Sequence, residues 1–180
     1  MVIILEGANG TGKTTLARHL IEVHGFIYHK DTGSNLSKLP PEYRIAATKE
    51  AIIAQAKLLV SLADKCNIVV DRFHLTEQVY GWIERFYRIG YCKEVEEILN
   101  AKRDSFLLVH VNKPYEYLAQ QADKKHLYFI RDWYPKAFSE STMNKVEVDL
   151  DEGAPVISKK LGLPDLGKGF VFGKGKEVIK

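Results

Sequence analysis

The sequence predicts an α/β fold, a five-stranded parallel sheet covered by helices on both faces. Two observations support it. Five short apolar or β-branched runs (Val2–Leu5, Phe26–His29, Asn67–Asp71, Phe106–Val111, Lys145–Leu150) are separated by stretches of helical periodicity, and strands that alternate with helices build parallel sheets. Between the first run and its helix lies Gly7-Ala8-Asn9-Gly10-Thr11-Gly12-Lys13-Thr14, which fits G-x-x-x-x-G-K-[ST], the phosphate-binding loop of the P-loop NTPase fold.

Each element has a local reason. Val2-Ile3-Ile4-Leu5 is short enough for a buried parallel strand, and Leu16, Leu20 and Val23 recur at helical spacing after the loop. Gly25 closes that helix, Phe26–His29 reads as a second strand, and Lys30-Asp31-Thr32-Gly33 as a loop. After a turn-rich stretch, Ser34 to Pro41, a long amphipathic helix is expected from about Glu42 to Lys65, with Ile45, Ile52, Ile53, Ala56, Val60 and Ala63 on one face. Its length suits the side wall of a cleft. The run Asn67–Asp71 ends in an acid at the strand end where α/β sheets bind ligands. Leu75, Val79, Trp82, Ile83 and Phe86 mark the next helix, and a further one is expected near Lys93–Arg103. Pro114 opens a helix from Tyr115 to about Asp123, Lys124-Lys125 interrupts it, and helical periodicity resumes from Leu127 to about Phe138. One domain, 1–152, is expected, with a short lid at about 117–131. Residues 153–180 read as a basic Gly/Lys-rich tail in which Val156–Leu161 has the pattern of one or two helical turns.

The loop's chemistry follows from its residue types. Glycines let the backbone wrap a phosphate, successive N–H groups form an anion nest at a helix N-terminus, Lys13 reaches the β- and γ-phosphates, and the Thr14 hydroxyl ligates Mg²⁺. Gly7, Ala8, Asn9, Gly10, Thr11, Gly12, Lys13 and Thr14 are thus the expected binding residues for a nucleoside triphosphate.

Composition narrows the class. The chain has 180 residues, 46% hydrophobic and 27% charged, enough for one cored domain. It has no run of 18 apolar residues, so neither a membrane span nor a signal peptide is expected, and the cytoplasm is the expected location. Cys66 and Cys92 have no metal-ligand spacing, nor do the six histidines; both sets are expected to be structural. The net charge of +3 is concentrated at the end, where Lys159, Lys160, Lys168, Lys174, Lys176 and Lys180 face only Asp165 and Glu177. A nearly neutral body gives little support for a nucleic-acid partner, and the tail reads first as a solvated terminus.

Directly after the third strand comes Asp71-Arg72-Phe73-His74-Leu75-Thr76-Glu77-Gln78-Val79-Tyr80. An acid there can hold Mg²⁺ through water, and the arginine offers a fork for a phosphate. Here the chain resembles the thymidylate kinase family of nucleoside-monophosphate kinases. Asp71, Arg72, Leu75, Thr76, Gln78 and Tyr80 keep that family's pattern, while Gly81 stands where the family often has glutamine. Leu5-Glu6-Gly7 and Lys13-Thr14-Thr15-Leu16 are similar to the family's loop flanks, which adds Thr15 to the triphosphate site. His29-Lys30-Asp31-Thr32-Gly33 is similar in charge to the family's Thr-Arg-Glu-Pro-Gly loop.

The resemblance implies transfer of the ATP γ-phosphoryl group to a deoxynucleoside monophosphate, dTMP first. Lys13, Asp71 and Arg72 would be catalytic, Thr14 and Asp71 would hold Mg²⁺, and Lys30, Asp31, Arg44, Arg72, Phe73, Gln78 and Tyr80 would contact the acceptor, Phe73 or Tyr80 by stacking on its base. Related kinases are often dimers, which the helix at 42–65 would suit. The family's lid supplies arginines, whereas Tyr117 to His126 contains none; Lys124, Lys125 and Arg131 are the cations available, with Lys124 the first candidate. Three other readings have specific support. A deoxynucleoside kinase would need a carboxylate base, Asp31 or Glu6; a kinase acting on polynucleotide ends or modified bases would rest on the basic tail alone. A GTPase would read guanine through Asn112-Lys113-Pro114-Tyr115, in which Tyr115 stands where an aspartate is needed.

Overall fold

The computed structural model describes residues 1–30, 36, 39–85, 90–121 and 124–166, with the side chains of 41, 82–85, 121 and 124–131 left undescribed. Strands β1 (Val2–Glu6), β2 (Ile27–Lys30), β3 (Ile68–Asp71), β4 (Phe106–Asn112) and β5 (Lys145–Asp149) form one sheet in the order β2-β3-β1-β4-β5. Every neighbouring pair is parallel, with Val2 opposite both Ile68 and Phe106 and Glu6 opposite His110. All five carboxyl ends therefore lie along one edge, with β1 and its loop at the centre.

Strand alternation divides the core in two. On one face Val2, Ile4, Val70, Phe106 and Leu108 pack beneath α2 (Pro41–Leu62), α3 (His74–Arg85), α4 (Cys92–Asn100), α5 (Tyr115–Gln121) and α6 (Lys124–Glu140). On the other, Ile3, Leu5, Val69, Val109 and Val148 pack beneath α1 (Lys13–His24) and α7 (Ala154–Lys160). Gly25 ends α1 at φ 69, its N–H bonding Ile21 O and the Phe26 N–H bonding Leu20 O, the closure expected of a glycine just past a helix.

Three expectations shift. The second strand begins at Ile27, because Phe26 is 3% exposed and drops into the core at the helix exit. The long helix stops at Leu62, where Lys65 and Cys66 N–H groups both turn back onto the Leu62 carbonyl. On that helix Ile52, Ile53 and Ala56 are buried as expected, but Ile45 is exposed, as are Tyr43 and Leu58.

A short helix beyond residue 152 packs onto the sheet. Helix α7 carries Ala154, Ile157 and Leu161 on one face, the last two fully buried against β5 and α1, and Leu163 packs against the same cluster. Ser158 sits between His19 Nε2 at 3.4 Å and His24 Nε2 at 3.3 Å. Residues 153–163 thus complete the second core; the lysines between them point outward and mask a short apolar stripe. Ile157→Ala should lower unfolding free energy by roughly 2–5 kcal/mol in urea titration, the range for truncating a buried aliphatic side chain. A change under about 0.5 kcal/mol would return this segment to a surface tail.

Candidate active site

The loop between β1 and α1 is built on close approaches. Gly7 has φ 140 and a Cβ there would lie 2.4 Å from the Val111 carbonyl oxygen; Gly12 has φ 95 and a Cβ would lie 2.3 Å from Leu150 Cδ1. Only glycine fits either position. Within the loop Lys13 is 5% exposed, its Nζ donating to Gly7 O at 2.8 Å and Ala8 O at 2.5 Å, with Thr11 Oγ1 3.5 Å away. Burial, with Arg72 adding to it, pushes the Lys13 ammonium down to about 7 against the pull of Asp71 and Glu6. A polyphosphate brought to this loop supplies the negative charge that burial withholds.

Asp71 closes the other side. Its Oδ2 accepts from Thr14 Oγ1 at 3.2 Å and from the Tyr28 hydroxyl at 3.2 Å, while Oδ1 is buried with no hydrogen-bond partner among the described residues. A hydroxyl, a carboxylate oxygen already committed to it and a second oxygen left over fit a hard cation that also takes waters and phosphate oxygens. Thr14 and Asp71 are the residues that would hold Mg²⁺. Burial, then Asp71 itself, raises the Tyr28 phenol to about 12, so Tyr28 stays a donor and orients the carboxylate. Tyr28 was not among the expected site residues; its hydroxyl meets Asp71 only because β2 pairs with β3 in this register.

Arg72 is the one described non-glycine residue at positive φ, 72°, a conformation that side chains other than Asn, Asp or His seldom adopt. The turn is held from beneath by Glu6, which is fully buried: Oε1 accepts the N–H groups of Phe73 at 2.9 Å and Leu75 at 3.0 Å, and Oε2 accepts from Thr76 Oγ1 at 2.5 Å. Arg72 N–H adds a bond to Leu5 O at 2.9 Å. The guanidinium then lies 5.7 Å over the Tyr80 ring and donates to Asn9 Oδ1 on the loop. Lys13, Thr14, Asp71, Arg72, Asn9 and Tyr80 are thereby brought together.

Other candidates fall elsewhere. Phe73 is 0% exposed and packed in the core, so it has no face for a base; the reversal at Arg72 turns it inward. Arg44 is committed to Leu39 O through Nε at 3.2 Å and Nη2 at 2.8 Å, bracing the entry to α2. Glu6, one of two carboxylates considered as a base, has both oxygens engaged. Lys30 is exposed at the end of β2 and Gln78 is half-buried on α3. Asp31 lies outside the described residues, as do the side chains of Lys124, Lys125 and Arg131. Lys113 is drawn to β5, its Nζ pairing with Asp149 and, at 2.6 Å, with Asp151, and Asn112 Nδ2 donates to Glu147 Oε1 at 3.3 Å. The pair expected of a guanine reader is thus turned to structural work.

Beyond the loop, toward α5 and α6, opens a cavity of ≈ 220 Å³ lined in part by Ala8, Thr11, His110, Tyr115, Leu118 and Tyr134.

No protein-family model matches the chain, and no curated protein matches it in sequence. Solved structures do. The YorR protein from Bacillus subtilis, crystallised in complex with phosphorylated GDP, is 20% identical over 89% of this chain and 93% of its own, with a TM-score of 0.68. Deoxyadenosine kinase from M. mycoides with bound dATP is 14% identical over 90% of this chain and 100% of its own, with a TM-score of 0.56. The fold is the α/β P-loop NTPase fold, shared with these two structures. No described helix is long and apolar enough to cross a membrane.

One prediction concerns Lys13. Its ammonium is held near 7 in the folded chain and at 10.5 when unfolded, so the unfolded state binds the extra proton and ligand-free stability should rise with pH between those values. Triphosphate restores the charge: at pH 8, calorimetric titration with ATP in buffers of different ionisation enthalpy should show uptake of up to about one proton. A buffer-independent enthalpy would contradict the buried, neutral lysine.

Proposed function

We propose that the chain transfers the γ-phosphoryl group of ATP, with Mg²⁺, to a deoxynucleoside 5′-monophosphate, dTMP being the first acceptor to test. The observation behind this reading is the convergence of Lys13, the Thr14–Asp71 pair and the Arg72 guanidinium on one loop. Loop amides and Lys13 would hold the donor phosphates, and Thr14 and Asp71 would hold the metal, which would supply neutralising charge to the transferring phosphoryl group. Arg72, pre-set by its turn and resting on Asn9, would swing to the acceptor phosphate as a bidentate clamp. Lys124, at the start of α6, would serve as the lid cation, and Lys30, Asp31, Gln78 and Tyr80 would line the acceptor side.

A monophosphate brings its own nucleophilic oxygen, so the chemistry consists of positioning and charge neutralisation. That agrees with Glu6, whose two oxygens are fully used by the turn. The similarity to a deoxyadenosine kinase and to a nucleotide-bound protein supports a nucleotide or nucleoside kinase at the level of fold.

Lys13→Ala should abolish ADP formation from Mg·ATP and dTMP, at least a hundredfold below wild type, while leaving the circular dichroism spectrum and cooperative melting in place. Wild-type turnover in that variant would remove the assignment.

A further inference from the structure

The cavity beside the loop holds a side chain that monophosphate chemistry does not use. His110, on β4, is 3% exposed and lines the cavity together with Ala8 and Thr11. Its register partner on β1 is Glu6, the last residue before the loop. Its Nδ1 meets Glu147 Oε2 of β5 at 3.0 Å, and Asn112 holds the other oxygen of that carboxylate. The ring is stacked on Tyr134, 6.1 Å between centroids at 15°, and flanked by Phe138 at 5.3 Å. A carboxylate on Nδ1 places the ring proton there, so the basic lone pair belongs to Nε2, and the stacking fixes the ring plane. The opposite wall adjoins the reacting centre: Ala8 O and Thr11 Oγ1 are the groups that touch Lys13 Nζ. A base with an oriented carboxylate partner, in a partly apolar cavity against the phosphate-binding loop, is the arrangement general-base catalysis requires.

We propose that this cavity admits an acceptor whose nucleophile is a hydroxyl, of the nucleoside class, and that His110, oriented by Glu147, is the catalytic base for its phosphorylation. The proposal rests on the phosphotransferase reading and adds a second acceptor class to it. The acceptor oxygen attacks the γ-phosphorus as its proton passes to His110 Nε2; the bond from that phosphorus to the β,γ-bridging oxygen breaks, and ADP leaves with the electron pair. Glu147 stabilises the imidazolium so formed, and release of the proton to solvent resets the site. The titratable groups facing the ring are Glu147 from β5, Tyr134 from α6, Tyr115 from α5 and Glu6 from β1, with Lys113 beyond them paired to Asp149 and Asp151. Of these Glu147 alone bonds to it. Nothing in the sequence singles out His110, since its partner is 37 residues away.

The test uses the full chain with Mg·ATP and the four deoxynucleosides beside their 5′-monophosphates, following ADP formation from pH 5 to 9. At least one nucleoside should be turned over, with kcat falling on the acid side as the imidazole protonates. His110→Asn should lower that kcat by about 10²–10⁴-fold and erase the acid limb, with melting temperature and ATP affinity as controls for folding. Glu147→Gln should retain more activity than His110→Asn, lowering kcat with KM for the nucleoside unchanged, since the ring keeps its nitrogen but loses the partner that orients it. Nucleoside turnover at the wild-type rate in His110→Asn, or a wild-type kcat in Glu147→Gln, would overturn the base. Turnover of monophosphates alone would overturn the second acceptor class and leave the proposed function standing. Silence with all eight compounds would overturn both.

Discussion

The site depends on one buried carboxylate. Glu6 ends the central strand, and instead of facing solvent it is sealed beneath the start of α3, where two backbone N–H groups and a hydroxyl bond to its two oxygens. Burying an anion is costly unless it is fully hydrogen-bonded, and a helix N-terminus is the natural place to do it. The gain is geometric. Holding the chain at Phe73 and Leu75 leaves Arg72 to take up the reversal between strand and helix, at a positive φ that arginine would not choose. Asp71 is thus left at the strand end beside Thr14, and the guanidinium projects over the loop. Thr76 extends the same network to Tyr134 at 2.9 Å, so the helix that carries the cavity wall is tied to the turn that carries the arginine.

Charge is distributed around this anchor with the ligand in view. Lys13 is buried, with carbonyl oxygens as its immediate partners, Arg72 stands near it, and Asp71 keeps one oxygen without a partner among the described residues. Each would be a defect in a core built only for stability. Together they form a site in which a buried lysine is only partly offset by Asp71 and Glu6 and one carboxylate oxygen is unpartnered among the described residues. A metal-bound polyphosphate would supply charge to both, onto groups already held in place.

The parts legible in the sequence are those whose physics is local. The loop is a contiguous pattern with a strand before it and a helix after it, and the five strands showed themselves as short apolar runs, so the order of elements along the chain and the fold class could be read. Asp71-Arg72 was legible for the same reason. What could not be read depends on pairing. Tyr28 reaches Asp71 across the β2–β3 register, 43 residues away, and Glu147 reaches His110 across β4–β5. Phe73 looked like a base-stacking ring because its neighbour is at the site; the positive φ of Arg72, invisible in a string of letters, sends it into the core. Beyond residue 152 six lysines mask three apolar residues at helical spacing, although burial of Ile157 and Leu161 decides where α7 packs.

The two sides of the cleft are built differently, and the difference explains how a site with few cations can discriminate. On the β3 side the groups are charged, near the loop and short of partners. On the β4–β5 side the described polar groups are paired: Lys113 with Asp149 and Asp151, His110 with Glu147, and Glu147 in turn with Asn112. A paired charge exerts little long-range attraction for a phosphate, and the aromatic and proline walls there favour a flat, weakly charged surface instead. Polyphosphate would therefore be drawn to the first side, and what enters the second would be selected by shape and by single hydrogen bonds. A site built to bond a particular hydroxyl or amide edge rejects analogues lacking it far more strongly than an apolar pocket rejects a missing methylene. With no arginine between Tyr117 and His126, discrimination on that side falls to such bonds more than to charge, and the matched pairs of β4 and β5 hold the donors and acceptors in place.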